Sequence, residues 1–585
     1  MNNTLNALKI RGEKYLWQIP VSDQQQVYSL ASATRMAVPL IQTLVNRGLQ
    51  TPEELERFLF TSRERDVASA SLLKDADKVV DRIIFAIEHQ QKILIAGDYD
   101  VDGITSTALI LLCLAPLGAQ INFFLPNRVI DGYGLSVKTV QRAHQSGYQV
   151  IITVDNGISA FDAACEAQKL GIDLIITDHH RPHSEVPPAF GIVNPAQDAC
   201  NYPFKKFAGV GVSFKLMELL YARLGKELPA KVYELLMLGT VADVVPLLGE
   251  NRYWVRHGLQ QIKLQESLSI QVLKSNARIE KPALSSTDIG FFIAPQVNAL
   301  GRLDDPRAGV KFLIGTDEQE TLRVGKLLGE LNQTRKSIEQ VVLKEVERSV
   351  ITKQIDLSKN KVLIAAQAGW APGVIGLVAS RLVGQFGRPA ILLHITKDGL
   401  AKGSCRSIPE LNIFEALSSV SDILTSFGGH PMAAGLSLPV SKIPLLQERL
   451  DRYVAARLSD EDLVQKLYLD AELRLPDANQ KLIDDMAYLE PFGCENAQPK
   501  FYIQQASLVE TPLLLKDEHV KGMVFADGVV KPVIFFKRPD LYPKLIAQRS
   551  EPFSLAVSIT ENYWNGRRSV EFQGHDVAGL QSLDF

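Results

Sequence analysis

"KILIAGDYDVDGITS", residues 92–106, sets an apolar run directly before three aspartates, Asp98, Asp100 and Asp102, spaced two apart. An aliphatic run without polar alternation is the pattern of a strand buried on both faces, as in a parallel sheet. Alternate residues of an extended segment point to one face, so the three carboxylates are expected to crowd together with no Lys or Arg among them. Like charges that close resist joint ionisation unless a cation neutralises them. The stretch predicts an acidic nest at the carboxyl end of a buried strand.

The pattern recurs between about residues 90 and 245. "QINFFL", "YQVIITV" and "IDLIIT" alternate with helical stretches, the first near 104–114 and stopped by Pro116, another near 159–170. This is the alternation of a doubly wound α/β fold. "IITVDNG" ends in Asp155-Asn156-Gly157, "LIITDHH" in Asp178-His179-His180, and "ELLMLGTVADVVPL" contains Asp243. Taken singly, Asp98, Asp100 and Asp102 read equally well as turn formers around Gly103, "VDNG" reads more readily as a turn, "DHH" as a surface loop and Asp243 as a helix cap. Together they fall where open parallel sheets bind ligands, at the carboxyl ends of strands. Carboxylates with one imidazole suit Mn²⁺ or Mg²⁺, and so many acids suggest two ions sharing a bridging carboxylate, the arrangement used to hydrolyse phosphodiesters. The expected ligands are Asp100, Asp102, Asp155, His179 and Asp243, with Asp155 as the bridge. Asp98, Asp178 and His180 serve as further ligands or as groups that orient them.

The remaining sequence divides around this region. Residues 1–60 read as a helical segment, with Thr51-Pro52-Glu53-Glu54 a good helix start. The catalytic domain is expected over 61–315, and a long connecting helix over 316–352, where apolar residues recur at helical spacing. A second α/β unit over 353–455 contains "KVLIAA", "GVIGLVASRLVGQFG" and "PAILLHI", and 456–585 turns strand-rich, as in a small β-barrel. At 585 residues the chain exceeds one hydrophobic core. It is 46% hydrophobic and 22% charged with a net charge of −3, so a nucleic-acid site must be a local basic patch rather than a global field. No apolar run approaches the ~20 residues of a membrane helix. The five cysteines are scattered without CxxC spacing, and the first twenty residues lack the apolar core of a signal peptide. A cytoplasmic monomer is the expectation.

"DYDVDG", "VDNG", "TDHH" and "GTVADVVP", in this order, resemble the DHH phosphoesterase superfamily. "PNRVIDGYGL", "NALGRLDDP", "GVIGLVASRL", "KGSCRS" and "FGGHPMAAG" narrow the resemblance to the RecJ single-strand-DNA exonucleases, along nearly the whole chain. The resemblance implies hydrolysis of single-stranded DNA from the 5′ end to 5′-mononucleotides with Mn²⁺ or Mg²⁺, in recombination and repair. A helicase and a single-strand-binding protein would be partners. It implies a DHH domain, a connecting helix, a DHHA1 domain and an OB-fold. Asn298 and Arg302 would reach the scissile phosphate and join Asp98, Asp178 and His180 as catalytic residues. Arg128, Ser404 and Arg406 would hold the 5′-terminal phosphate, and His430 would help close over the strand.

Some positions depart from the family pattern. Ala371 stands where the family usually has His, and Glu495 and Ala497 replace a usual Gly and Pro. "DGYGL" stands for the commoner "EGYGL". Near the C-terminus, Tyr563 and Trp564 adjoin Arg567 and Arg568, a pairing that suits base stacking on a barrel, although the aromatics would equally serve its core. Two other functions use the same motifs: a phosphodiesterase of very short oligonucleotides, cyclic dinucleotides or pyrophosphate, and a non-catalytic DNA-binding scaffold.

Overall fold

The run at 92–96 is the first strand of a five-stranded, all-parallel sheet in spatial order Gln120–Phe124, Lys92–Ala96, Val150–Val154, Asp173–Thr177, Gly191–Val193. Ile93, Ile95, Ile152, Val154 and Ile175 enter one hydrophobic core, while Leu94, Ala96, Ile151, Leu174 and Ile176 enter a second on the opposite face. Both faces of the three inner strands are covered, which is why their sequences carry no polar alternation, whereas the edge strand Gln120–Phe124 alternates and is only partly buried. From Lys92–Ala96 the chain moves to one neighbour, then crosses to the other side for Val150–Val154. The winding direction reverses between these two strands, the place where such sheets open a crevice.

The computed structural model describes residues 7–127, 131–548, 551–564 and 567–579, the side chains of 563, 564 and 567 excepted. Two units divide the chain: Phe60–Arg335 with Glu490–Ala497, and Met1–Leu59 with Lys336–Leu489 and Gln498–Phe585. The parallel sheet belongs to the first. The expected connecting helix is one continuous element, Glu318–Ile351, and the division falls inside it rather than at 315.

In the second unit, a mixed sheet runs Ser426–His430, Ala433–Pro439, Leu400–Arg406, Ala390–Ile395, Leu363–Ala368. Only its last pair is parallel, bridged by the helix Pro372–Phe386. The C-terminal strands form the expected barrel. Phe501–Leu508, Phe553–Trp564, Arg567–Ala578, Val529–Phe535 and His519–Ala526 follow one another, and pairing of Ser507 with Phe525 closes the ring.

The N-terminal region corrects the sequence reading. Ala7–Arg11 and Leu16–Pro20 form an antiparallel hairpin, extended by Lys466–Tyr468 in parallel, and helices begin only at Gln24. The fully buried Asp576 explains the hairpin's position. Its carboxylate accepts from the Lys14 and Tyr15 amides at 3.2 and 3.1 Å and from Trp17 Nε1 at 3.0 Å. A strand fixed by a residue at the far end of the chain leaves only a weak local signal.

The loop 490–497 belongs with the parallel-sheet unit. The Leu247 amide donates to the Cys494 carbonyl, Ser286 Oγ to that of Phe492, and Lys206 Nζ meets the Glu495 carboxylate at 2.9 Å. Glu495 has φ +55°, a left-handed conformation natural to the glycine usual there. Among the described residues, no helix is long and apolar enough to cross a membrane.

Candidate metal centre

The acid-rich loop does not stay extended, as the alternation of Asp98, Asp100 and Asp102 suggested. Asp100 caps the helix Val101–Leu114, its Oδ1 accepting from the Asp102 and Gly103 amides at 3.0 and 3.2 Å. Capping satisfies amides that lack an intrahelical partner, so an Asp here favours turning into a helix over continuing a strand. The carboxylates nevertheless converge, because Asp98 precedes the turn and Asp102 lies in the first helical turn.

Three donor groups result, each with ligand atoms within 4.8 Å of one another: Asp98, Asp100 and Asp155; Asp102, His179 and Asp243; and Asp155, Asp178, His179 and His180. Asp155 belongs to two of them and sits with φ +61° directly after its strand, at the reversal of winding. His179 Nε2 stands 3.1 Å from Asp155 Oδ1, 3.6 Å from Asp243 Oδ2 and 3.8 Å from Asp102 Oδ2. Asp243 is carried in as the C-cap of the helix Lys231–Ala242. All five expected ligands therefore come together.

Electrostatics explains what the cluster requires. Asp98, Asp102, Asp155 and Asp178 are all nearly inaccessible to solvent. Burial, reinforced by the Asp100 charge, pushes Asp102 up to about 7 despite the backbone amides of Val210 and Gly209. Burial and the Asp102 charge push Asp243 up to about 9 and Asp155 well above the carboxylate range. Burial lowers His179 to about 4, so its ring is neutral. The ring bonds the Phe207 carbonyl, while Nε2 is buried with no hydrogen-bond partner among the described residues and faces carboxylate oxygens. An acceptor nitrogen aimed at acceptor oxygens is stable only with a shared proton or cation between them. Oxygen donors plus one neutral imidazole, oriented from behind by a carbonyl, fit a divalent cation.

Asp178 has a different place. It accepts from the Ile158, His179 and His180 amides at 3.0, 2.7 and 3.1 Å, and pairs with His180 Nδ1 at 2.7 Å. These bonds outweigh its burial and hold it below the usual carboxylate range. Burial would lower His180, but the Asp178 hydrogen bond and charge raise it to about 9. Asp178 thus fixes the histidine pair rather than presenting a bare carboxylate.

The helix Ala294–Leu303 crosses the acidic loop. A Cβ at Gly301 would lie 2.1 Å from the Tyr99 carbonyl, so only glycine permits the approach. Asn298 and Arg302, four residues apart on this helix, share a face and are half-buried. Two contributors were not singled out from sequence. Tyr133 donates to the Asp155 carbonyl at 3.2 Å with its ring edge-on to Tyr99 and His180. The Gly209 and Val210 amides grip Asp102 at 2.6 and 2.8 Å. "DGYGL" signalled the first; backbone groups signal nothing.

In the other unit, Ser404 and Arg406 share one face of the strand Leu400–Arg406, with Arg406 Nη1 donating to Ser404 Oγ at 2.9 Å. Both lie against Gly376 in the early turns of the helix Pro372–Phe386. His430 ends the strand Ser426–His430 and is exposed. Arg128 lies outside the described residues. Tyr563 and Trp564 pair with Arg568 and Arg567 at the end of a hairpin, while Arg568 is bound to Glu561 and Asp484.

Comparisons with known proteins agree with this architecture. Residues 92–240 match the DHH family N-terminal domain, 359–456 the DHHA1 domain and 469–576 the RecJ OB domain. The single-stranded-DNA-specific exonuclease RecJ of Bacillus subtilis is 36% identical over 97% of this chain and 71% of its own length. A crystal structure of RecJ in complex with Mn²⁺ from Thermus thermophilus superposes with a TM-score of 0.82 at 28% identity, covering 97% of this chain and 80% of that one. The Mg²⁺ complex from the same organism gives a TM-score of 0.76 at 26% identity over 97% and 79%. A DHH sheet ending in an acid-and-histidine nest, followed by DHHA1 and OB domains, thus has close counterparts over nearly its whole length, and the chain belongs to the RecJ family.

Proposed function

We propose that this chain is a metal-dependent exonuclease that hydrolyses single-stranded DNA in the 5′-to-3′ direction to 5′-mononucleotides, in DNA repair and recombination. One observation carries the reading: four separate strand and helix ends deliver carboxylates and a neutral imidazole to one buried point, where Nε2 of His179 faces carboxylate oxygens without a hydrogen-bond partner among the described residues. Asp100, Asp102, Asp155, His179 and Asp243 would hold two Mn²⁺ or Mg²⁺ ions. When bound, these ions supply Lewis acidity, acidify water and neutralise charge on the phosphate.

The chain's own groups do the rest. Asn298 and Arg302 steady the scissile phosphate, Arg302 through a planar, permanently charged fork. His180, held at Nδ1 by Asp178, offers a proton from Nε2 to the departing 3′-oxygen. Ser404 and Arg406, beside the start of the helix Pro372–Phe386, bind a terminal phosphate, since helix N-termini favour anions. Such a pocket sets polarity from the 5′ end; Arg128 and His430 belong to the same reading, as do Tyr563, Trp564 and Arg567 on the barrel. The protein acts as a cytoplasmic monomer, supplied with single strands by a helicase and a single-strand-binding protein.

The test uses 5′-labelled oligonucleotides with Mn²⁺. Mononucleotide release from single strands but not from blunt duplex supports the reading. Faster turnover of dinucleotides than of long strands, or binding without cleavage, overturns it.

A further inference from the structure

The helix Gly209–Arg223 begins without a cap of its own: Ala208 offers no side chain to its first amides. A helix leaves its first N–H groups without intrahelical partners, and burying them unsatisfied is unfavourable. Gly209 and Val210 are both buried. Their amides are satisfied from another segment: Gly209 donates to Asp102 Oδ2 at 2.6 Å and Val210 to Asp102 Oδ1 at 2.8 Å. One carboxylate therefore caps a helix with both oxygens while standing in the metal centre.

The approach is possible only because residue 209 lacks a side chain. A Cβ there would lie 2.6 Å from Asp155 Cβ and 2.8 Å from both Asp155 Cα and Oδ1. The Cα belongs to the main chain and cannot swing aside. The first turn of this helix is thus wedged between Asp102, which it holds, and Asp155, which it touches.

We infer that the Gly209–Val210 amide pair is a positioning element of the metal centre, fixing the Asp102 carboxylate and its spacing from Asp155, and that Asp102 in turn is the cap that holds the helix Gly209–Arg223 in place. The inference rests on the two-ion reading for its first half and on hydrogen bonding alone for its second. Asp102 is accordingly unlike Asp155 and Asp243, which receive no such pair of amides among the described contacts. Each is a carboxyl buried among other acids, but of the three only Asp102 also satisfies two buried donors.

The experiment has two arms, both on the full chain. In the first, Mn²⁺ is titrated calorimetrically into wild type, Gly209→Ala, and a form with a backbone ester at residue 210, which deletes the Val210 N–H and leaves its side chain. Groups that orient a metal ligand typically contribute about ten- to a hundredfold in affinity, and a loss of that order is expected in both variants. Met217→Ala, a truncation of a fully buried residue on the same helix, is the control; it should lower the melting temperature and leave Mn²⁺ affinity unchanged. In the second arm, melting is compared in EDTA at pH 8. Removing a carboxyl whose burial among other acids opposes folding raises the melting temperature of Asp155→Ala and Asp243→Ala, whereas Asp102→Ala falls below wild type because two buried amides lose their acceptor. Unchanged Mn²⁺ affinity in Gly209→Ala and the ester form, or an Asp102→Ala melting temperature at or above wild type, overturns the inference. If Gly209→Ala does not fold, the ester form and the second arm decide. If wild type itself binds no Mn²⁺, the metal reading fails, while the melting comparison still tests the cap.

Discussion

The chain contains two five-stranded sheets that use their strands in opposite ways. In the all-parallel sheet, the side chains of the three inner strands are core, and the acidic groups sit just beyond their carboxyl ends: Asp98 after Ala96, Asp155 after Val154, Asp178 after Thr177. In the mixed sheet, the polar groups lie within a strand, as Ser404 and Arg406 alternate with the buried Cys405 on Leu400–Arg406. Parallel connections return every chain reversal to the same edge, so loops from distant sequence meet at one point. Antiparallel neighbours distribute their polar groups over a face instead. The first arrangement suits a compact charge cluster, and the second a spread polar surface such as the terminal-phosphate site proposed for Ser404 and Arg406.

Substitutions in the two sheets should separate loss of cleavage from loss of substrate binding. Asp155→Ala should abolish nuclease activity with DNA binding retained, because it removes the carboxylate common to two donor groups. Product release on a denaturing gel, with fluorescence anisotropy for binding, checks both halves. Arg406→Ala should instead raise KM about ten- to a hundredfold with kcat nearly unchanged, the loss of one charge-assisted phosphate contact. Comparing 5′-phosphorylated with 5′-hydroxyl strands should show the preference gone in the variant.

A third prediction concerns pH and the parallel sheet alone. Asp102 and Asp243 are raised to about 7 and about 9 in the metal-free protein, above their values in an unfolded chain. Their protonated forms favour the folded state, so this stability is complete below about pH 4 and is lost as pH climbs through 7 and then 9. Melting in EDTA should therefore fall across that window, and Mn²⁺ should cancel the fall. Mn²⁺ affinity should rise over the same range because binding displaces protons. The smallest effect belongs to Glu495→Gly. It relieves a left-handed conformation at φ +55° and loses an exposed ion pair to Lys206 at 2.9 Å, two terms of about 1 kcal/mol with opposite sign. Differential scanning calorimetry should find the melting temperature within about 3 °C of wild type.

The same contrast governs how much could be read from sequence. Asp98, Asp100, Asp102, Asp155 and His179 were legible because unbroken aliphatic runs reveal parallel strands, and position after such a run implies a shared edge, whereas the apolar run before Asp243 folds as the helix Lys231–Ala242. The helical path of Asp100 and Asp102 was not, because capping by Asp100 competes with extension and the aspartate spacing fits both. The Gly209–Val210 amides escaped notice because a main-chain donor looks alike in every sequence. The hairpin Ala7–Pro20 was misread as helical because its partner, Asp576, is far along the chain. Ser404 and Arg406 had no local pattern marking them; only the resemblance of "KGSCRS" to a known family did.

Anomalous scattering at the manganese edge, from crystals of the full chain grown with Mn²⁺, would show directly whether the acidic nest holds ions. Two peaks are predicted, flanking Asp155, with His179 Nε2 directed at one of them. Density confined to other parts of the molecule, or none beside these side chains, would contradict a cation-holding role for the buried acids.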